Sequence, residues 1–274
     1  MLHLTQDKPL VTFIVAASNQ PILLKAALSS CLAQTFERWE AIVVDDHSEP
    51  PLYNVVSSFN DKRIKYYRLP LGLKGISAAR NTALSLATTD ILITLDSDDL
   101  NIPLRAARCY QLLNRCDPCL IYTRVRLFST ENPIGCPKRV FQPYNPILLQ
   151  MFNFVTNAGT AFNKKAYHLA GGYYDLSLSL AEDYELYLRM SLNGVHIAGV
   201  DEEHVYYRKH DASLTFNNQL QLHESIMYIR TKHMINPFSF DEISLYAHPS
   251  LWENLRNNTE AMSIWIDDRY SPKS

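Results

Sequence analysis

Asp90-Ile91-Leu92-Ile93-Thr94-Leu95-Asp96-Ser97-Asp98-Asp99 opens as an apolar run of strand-forming residues and ends in three carboxylates within four positions. Such a run suits a strand buried on both faces of a parallel sheet. The acids stand where that strand leaves the sheet. Clustered carboxylate oxygens at a sheet rim suit a hard divalent cation, Mg²⁺ or Mn²⁺, which often shares its oxygen ligands with substrate phosphates. A lone Asp-x-Asp is equally a solvated loop, so the rest of the chain decides between the two.

Upstream, Val11-Thr12-Phe13-Ile14-Val15-Ala16-Ala17 reads as a second buried strand. Asn19 is expected to cap a helix, with Pro21 in its first turn and Leu24, Leu28, Cys31 and Leu32 on one face. Residues 40–44 form the next strand, which ends in Asp45-Asp46-His47-Ser48. In an open parallel sheet the ligand crevice lies beyond the carboxyl ends of the strands. Both acid-bearing strand ends then face one crevice, which weighs against an accidental turn. A short helix to about residue 60 and a strand over 64–69 follow. Next comes Leu71-Gly72-Leu73-Lys74-Gly75, ahead of a helix with the apolar stripe Ile76, Ala79, Ala83 and Ala87. Glycines and a lysine at a helix entry can cradle an anion. Arg80 lies beside that stripe, where an unpaired guanidinium is costly. It either pairs with an acid at the edge of the core or reaches the crevice.

Downstream, Asn101 and Pro103 are expected to start a helix running to about residue 115, followed by a strand over 119–128 and a loop over 131–146. Residues 157–162 read as a short strand leading into a helix at Lys164, closed by Gly171-Gly172. Glu182 and Asp183 fall in the first turn of a helix closed by Gly194, where the helix dipole favours charged carboxylates. Two strands, 195–200 and 204–208, precede His210, a loop histidine able to ligate metal or touch phosphate. Beyond Thr215 the pattern is helical, with Leu222, Ile226 and Ile229 on one face. Leu251, Trp252, Met262 and Trp265 suggest further packing or self-association through these last helices.

The 274 residues are 47% hydrophobic and 20% charged, a balance suited to a globular enzyme. A net charge of −2 leaves no general nucleic-acid footprint. No apolar run approaches the roughly 20 residues of a membrane span, and the start lacks a basic-then-apolar leader, so a cytoplasmic location is expected. Five cysteines with no export signal point to reduced thiols. Cys116-Asp117-Pro118-Cys119 is a single Cys-x-x-Cys; a zinc site needs further ligands, and none lies near it in the sequence.

These stretches together resemble the family 2 glycosyltransferases of the GT-A, nucleotide-diphospho-sugar transferase fold, over about residues 9–215. The resemblance rests on an ordered series: Val15-Ala16-Ala17-Ser18-Asn19, Leu32-Ala33-Gln34-Thr35-Phe36, Val43-Val44-Asp45-Asp46-His47-Ser48, Ser77-Ala78-Ala79-Arg80-Asn81, Leu95-Asp96-Ser97-Asp98-Asp99, Gly171-Gly172-Tyr173-Tyr174-Asp175, Glu182-Asp183, and Arg208-Lys209-His210 to Ser213. The chain departs from the family where a proline and a tyrosine are replaced by Ala16 and Ser18, and where His47 stands for a glycine.

The resemblance implies an α/β fold: a Rossmann-like, mostly parallel sheet with helices on both faces. A nucleotide-binding half would span residues 9–115 and an acceptor-binding half 116–215 of a catalytic domain 1–215, with a helical extension over 216–274. It implies nucleotide contacts from Ala16, Ala17, Ser18, Asn19, Asp45, Asp46, Lys74, Arg80, Asp96 and Ser97. Asp46 would take the base, typically uracil, and Arg80 the base or diphosphate. Asp98 would ligate Mn²⁺ or Mg²⁺, with Asp96 on the ribose or sugar side and His210 completing the metal site or touching diphosphate. Asp183 would be the general base, with Glu182 the alternative, and Glu182, Asn157 and Gly159 would lie near the sugars. The implied activity is inverting transfer from a nucleotide-sugar, a UDP-sugar first, to a hydroxyl of a glycan or cell-surface polysaccharide, in the cytoplasm or at the inner face of the membrane. Competing readings are a phosphotransfer or pyrophosphorylase enzyme and a non-catalytic nucleotide-sugar-binding module. A phosphotransfer enzyme wants Asp-x-Asp near the start and a pyrophosphorylase a Gly-rich loop after the first strand, and neither is present.

Overall fold

The computed structural model describes residues 8–137, 141–209, 218–236, 238 and 240–256. Strand β1 (Val11–Ala17) pairs in parallel with β2 (Trp39–Asp45) on one side and β4 (Ile91–Thr94) on the other, and β2 pairs in parallel with β3 (Ile64–Arg68). Successive side chains of a strand point to opposite faces, and here both faces are covered. Val11, Phe13 and Val15 join Trp39, Ala41, Val43 and Ile93 in one core, against Leu24 and Leu28 of α1 (Pro21–Leu32), Val56 of α2 (Tyr53–Ser57) and Cys109 of α4 (Arg105–Leu113). Ile14, Ile42, Val44 and Leu92 enter the other core, against Ala79 and Ala83 of α3 (Ile76–Leu86), Leu149 of α5 (Pro146–Met151), Ala166 of α6 (Lys164–Leu169) and Leu186 of α7 (Glu182–Leu192). Burying each Val, Leu, Ile or Phe among these is worth about 1.5–3 kcal/mol. A slip of one residue would exchange the two sets, so the alternation holds the register.

The sheet order is β3-β2-β1-β4-β8-β6-β9-β5, with β7 paired to β6. The parallel arrangement runs from β3 to β4. Beyond it β8 (Thr160–Asn163) enters antiparallel between β4 and β6 (Cys119–Phe128), so the second half of the sheet is mixed. Strand β9 (His196–Arg208) pairs in parallel with β6. The two strands expected over 195–200 and 204–208 are therefore one, irregular in register near Arg124. The acids Asp201, Glu202 and Glu203 stay in the sheet because each pairs with a base, Arg124, Arg108 and Arg126 respectively.

Other boundaries moved for local reasons. Residues Leu100–Asn101 form a short strand, β5, antiparallel to β9, so α4 starts at Arg105 rather than at Asn101. Cys136–Pro137 form β7 at the edge of β6, and α5 begins inside the span expected to be loop, where Asn145 accepts from Ile147 N and Leu148 N ahead of Pro146. Asn19 does not cap α1; Gln20 holds that position without a side-chain cap. The helix α8 (Gln219–Lys232) inserts Leu222, Ile226 and Ile229 into the same core as β1 and α7. Two further helices, α9 (Phe240–Ser244) and α10 (Pro249–Arg256), place Ile243 and Leu251 against Leu148, Met151 and Phe152. No helix among the described residues is long and apolar enough to cross a membrane.

Candidate active site

The ends of β1, β2 and β4 open on one edge of the sheet. Leu95 N still donates to Ile14 O at 3.0 Å, so pairing persists one residue past β4. The acids then separate. Asp99 is buried, and its Oδ1 accepts from Arg208 N at 2.8 Å, while Arg208 Nε donates to the main-chain oxygen of Asp98 at 2.8 Å. Arg208, at the end of β9, thereby holds the loop by its backbone and by Asp99. Asp96 and Asp98 remain half-buried at the rim, with Ser97 buried between them.

Asp96 is fixed from two sides. Arg80 Nη2 donates to its Oδ1 at 2.8 Å, and Asn157 Nδ2 donates to Oδ1 and Oδ2 at 3.0 and 3.1 Å. Arg80 also pairs through Nη1 with Glu182 and is nearly fully buried. Both of its donor groups thus turn to site acids, as a buried guanidinium must be paired. Asn157 is itself held in place from two sides. Its Oδ1 accepts from Tyr187 Oη at 2.8 Å, and its carbonyl from Thr94 Oγ1 at 2.6 Å. Gly159 serves packing: a Cβ there would come within 2.7 Å of Thr123 O.

Helix α7 distributes three acids of its first turn to three tasks. Glu182 is buried and bound to Arg80. Glu185 turns into the core, where Arg189, Lys232 and His233 donate to it. Asp183 stays half-buried, and its hydrogen bond among the described residues comes from Tyr184 N at 2.7 Å. Burial pushes the Asp183 carboxyl up to about 7, helped by the charges of Glu182 and Asp96 and opposed by Arg80 and the Tyr184 amide. Burial, with the charges of Asp99, Asp96, Asp98 and Asp183, pushes the Tyr207 hydroxyl well above its ordinary value. Acids from β4 and α7 therefore converge near one place. The oxygen donors Asp96 and Asp98, and the excess of negative charge felt at Asp183, fit a hard divalent cation.

At the end of β2 the two aspartates part. Asp45 is fully buried, and its oxygens accept from Ser48 N at 2.9 Å, Leu52 N at 3.0 Å and Tyr66 Oη at 2.8 Å. Against the upward push of burial, those bonds hold its carboxyl below the ordinary range. Asp45 thus clamps the loop that follows β2. Asp46 points the other way. Its Oδ2 accepts from Gly75 N at 3.0 Å, while its Oδ1 is buried with no hydrogen-bond partner among the described residues. An unmet buried acceptor suits a ligand N–H. Ser18 Oγ donates to Asp46 O, Ala17 O accepts from Asp46 N, and Asn19, at φ 53°, joins Ser48 and Glu49, so residues 16–19 frame this acceptor. Ala16 is half-buried and Lys74 exposed. His47, at φ 54°, ties the loop to Leu73 O at 2.9 Å. His210 lies outside the described residues.

Sequence reasoning missed Tyr187 and Tyr207 beside these acids, and placed Arg208 in a motif without giving it a role. Tyr187 carried a signal, since it follows Asp183 by four residues and so shares its face of α7. The other two are drawn in by β9, whose course past Asp99 is tertiary.

The profile of glycosyl transferase family 2 matches residues 12–168. The chain is 30% identical over 145 residues to the UDP-Glc:alpha-D-GlcNAc-diphosphoundecaprenol beta-1,3-glucosyltransferase WfgD of Escherichia coli, covering 52% of this chain and 56% of that one. It thus spans little more than half the length of that relative. Among solved structures, TarS 1-349 of S. aureus in complex with UDP-GlcNAc is similar in fold, with a TM-score of 0.69 at 17% identity over 95% of this chain and 77% of that one. The mannosyltransferase PcManGT of Pyrobaculum calidifontis, in complex with GDP-Man and Mn²⁺, gives a TM-score of 0.61 at 15% identity over 94% and 70%. At these identities the structural likeness concerns the fold alone. The match of the family profile to more than half of the residues, on a fold shared with solved glycosyltransferases, makes this chain a member of glycosyl transferase family 2.

Proposed function

We propose that this chain is an inverting glycosyltransferase that moves a sugar from a nucleotide-diphosphate donor, a UDP-sugar, to a hydroxyl of a growing glycan or cell-surface polysaccharide, with Mn²⁺ or Mg²⁺. The observation that carries the reading is the contrast within Glu182-Asp183: Arg80 occupies Glu182, whereas the half-buried Asp183 is bonded to its neighbour's amide and has its carboxyl raised to about 7. A base poised near the working pH combines the correct protonation state with driving force for proton transfer. Asp183 takes the acceptor hydroxyl proton as that oxygen attacks the anomeric carbon and the bond to the diphosphate breaks. A single displacement with no enzyme nucleophile inverts the anomeric centre.

Asp98 would hold the cation, with His210 as a further ligand and Asp96 on the ribose or sugar side. When bound, the cation offsets the charge growing on the leaving diphosphate. Arg80 and Asn157 hold Asp96 in place for its contact with the donor, and Asp46 accepts the N–H of the base. A uracil donor is supported by the unmet acceptor at Asp46 Oδ1 and by the UDP in the names of WfgD and of the TarS complex. The catalytic unit would be residues 1–215, with acceptor contacts drawn from about 131–160. The lipid-linked acceptor in the name of WfgD supports work at the inner face of a membrane.

The test is hydrolysis of UDP-glucose, UDP-N-acetylglucosamine and GDP-mannose with Mn²⁺ and with EDTA. Release of UDP from one of them that requires Mn²⁺ and falls in Asp183→Asn is the expected result. Tight binding of UDP with no turnover of any donor, with or without acceptor glycans, would make the chain a binding module instead.

A further inference from the structure

The turn between α4 and β6 carries Cys116-Asp117-Pro118-Cys119, for which the sequence offers no adjacent third ligand. The fold supplies one. His196, the first residue of β9, is the register partner of Cys119, the first residue of β6. Paired residues on neighbouring strands share a face. The thiol sulfurs of Cys116 and Cys119 and a ring nitrogen of His196 lie within 4.8 Å of one another. Among the described residues this is the group of three such side chains whose ligand atoms converge so closely.

The frame under these side chains is tightly bonded. Asn163 grips both ends of the turn, donating Nδ2–H to Cys116 O at 2.6 Å and accepting from Cys119 N at 3.1 Å. His196 N donates to Pro118 O at 3.2 Å. Sites built on strands and locked turns hold ligand geometry better than sites on free loops. Cys119 is buried, Cys116 half-buried and His196 exposed, so the group opens to solvent on one side. Strand β6 is antiparallel to β8, which is antiparallel to β4, so β6 and β4 run the same way. The start of β6 therefore lies at the opposite end of the sheet from Asp96 and Asp98.

We propose that Cys116, Cys119 and His196 form a zinc site that clamps the α4–β6 turn to the start of β9. Two thiols and one imidazole are the donors that a borderline-soft, tetrahedral ion selects, and the open side leaves a fourth position for water. Binding replaces two thiol protons: Zn²⁺ enters, both cysteines bind as thiolates, neutral His196 gives its ring lone pair, and two protons leave, so the site is neutral. A bare dithiol awaiting oxidation has no need of the imidazole.

The experiment uses the full chain, reduced without chelating thiols, titrated with Co²⁺ and followed by absorption. Bound zinc in the chain as purified is measured by elemental analysis. The proposal expects near-stoichiometric zinc, a thiolate-to-cobalt charge-transfer band that added Zn²⁺ abolishes, loss of that band in Cys116→Ser, and weaker binding in His196→Ala. The exposed His196 can be removed at little cost to folding, which keeps the test valid should Cys116→Ser misfold. Asp98→Ala should keep the band, separating this site from the catalytic acids. No thiolate band in the reduced chain, unchanged affinity in His196→Ala, or a Cys116–Cys119 disulfide with no bound zinc each overturns the proposal.

Discussion

Arg80 Nη2 lies 2.8 Å from Asp96 Oδ1, and the same guanidinium holds Glu182, so one buried cation joins the acid loop after β4 to the first turn of α7. This places Arg80 in the frame of the site. Arg80→Met should leave two partly or fully buried carboxylates without their partner and cost about 3–5 kcal/mol of stability. Urea unfolding of the two proteins at pH 7 measures it. A variant as stable as the parent would remove Arg80 from that role.

Asp183→Asn keeps shape and removes the basic oxygen. Transfer should fall by about 10²–10⁴-fold while UDP affinity survives. Because the folded carboxyl is raised above its ordinary value of 3.8, its ionisation at neutral pH opposes folding, so the same variant should melt higher than the parent at pH 8. Glu182→Gln should instead lose stability through Arg80. If Asp183→Asn transfers sugar at the parent rate while Glu182→Gln is dead, the two roles are exchanged.

The pH profile follows from the same group. A base with a carboxyl raised to about 7 is protonated below that value and inactive, so kcat/KM should rise through about pH 7 and level off above it. An acid limb near pH 4 would show that an ordinary carboxylate is the base.

Asp45 and Asp46 should separate stability from binding. Asp46→Asn should weaken UDP binding by about 10–100-fold, the worth of a hydrogen bond to a charged group. Asp45→Asn, which turns one of the two oxygens accepting the Ser48 and Leu52 amides into a donor, should lower the melting temperature. Equal effects of both on binding would contradict the division.

Much of this was legible in the chain. Strands β1, β2 and β4 are apolar runs closed by acids, and both acid ends do meet at one rim. What sequence could not assign was the partner of each acid. Asp45 and Asp46 differ by one step of the strand pleat, Glu182 and Asp183 by one step of the helix, and those steps send one member of each pair inward. Arg80 could be placed beside the core but not given its two acids, since these come from α7 and the β4 loop. The strands β5 and β7 hold two residues each, too few for any periodicity. The third ligand of the cysteine pair arrives only through the register of β6 with β9.

The cluster that docks α8 should govern acid stability. Against the upward push of burial, bonds from His233, Arg189 and Lys232 hold Glu185 at about 2, and Asp175 is held at about 2 against burial by Lys232, the Ser177 amide and Tyr228. Both folded values lie below the ordinary ones, 4.5 and 3.8, so their contribution is complete above about pH 4.5 and is lost as pH falls towards 2. Glu185→Ala should cost about 3–5 kcal/mol at pH 7 and flatten that acid limb. Denaturant melts between pH 2 and 7 report both.

The central claim is that the acids after β4 bind a nucleotide diphosphate through a divalent cation. Calorimetric titration of UDP into the parent chain and into Asp98→Ala, each with Mn²⁺ and with EDTA, tests it most directly. The account predicts binding to the parent that requires Mn²⁺ and is lost in Asp98→Ala, with the variant still folded by circular dichroism. UDP binding of equal strength in EDTA, or Mn²⁺-dependent binding that survives in Asp98→Ala, would contradict it.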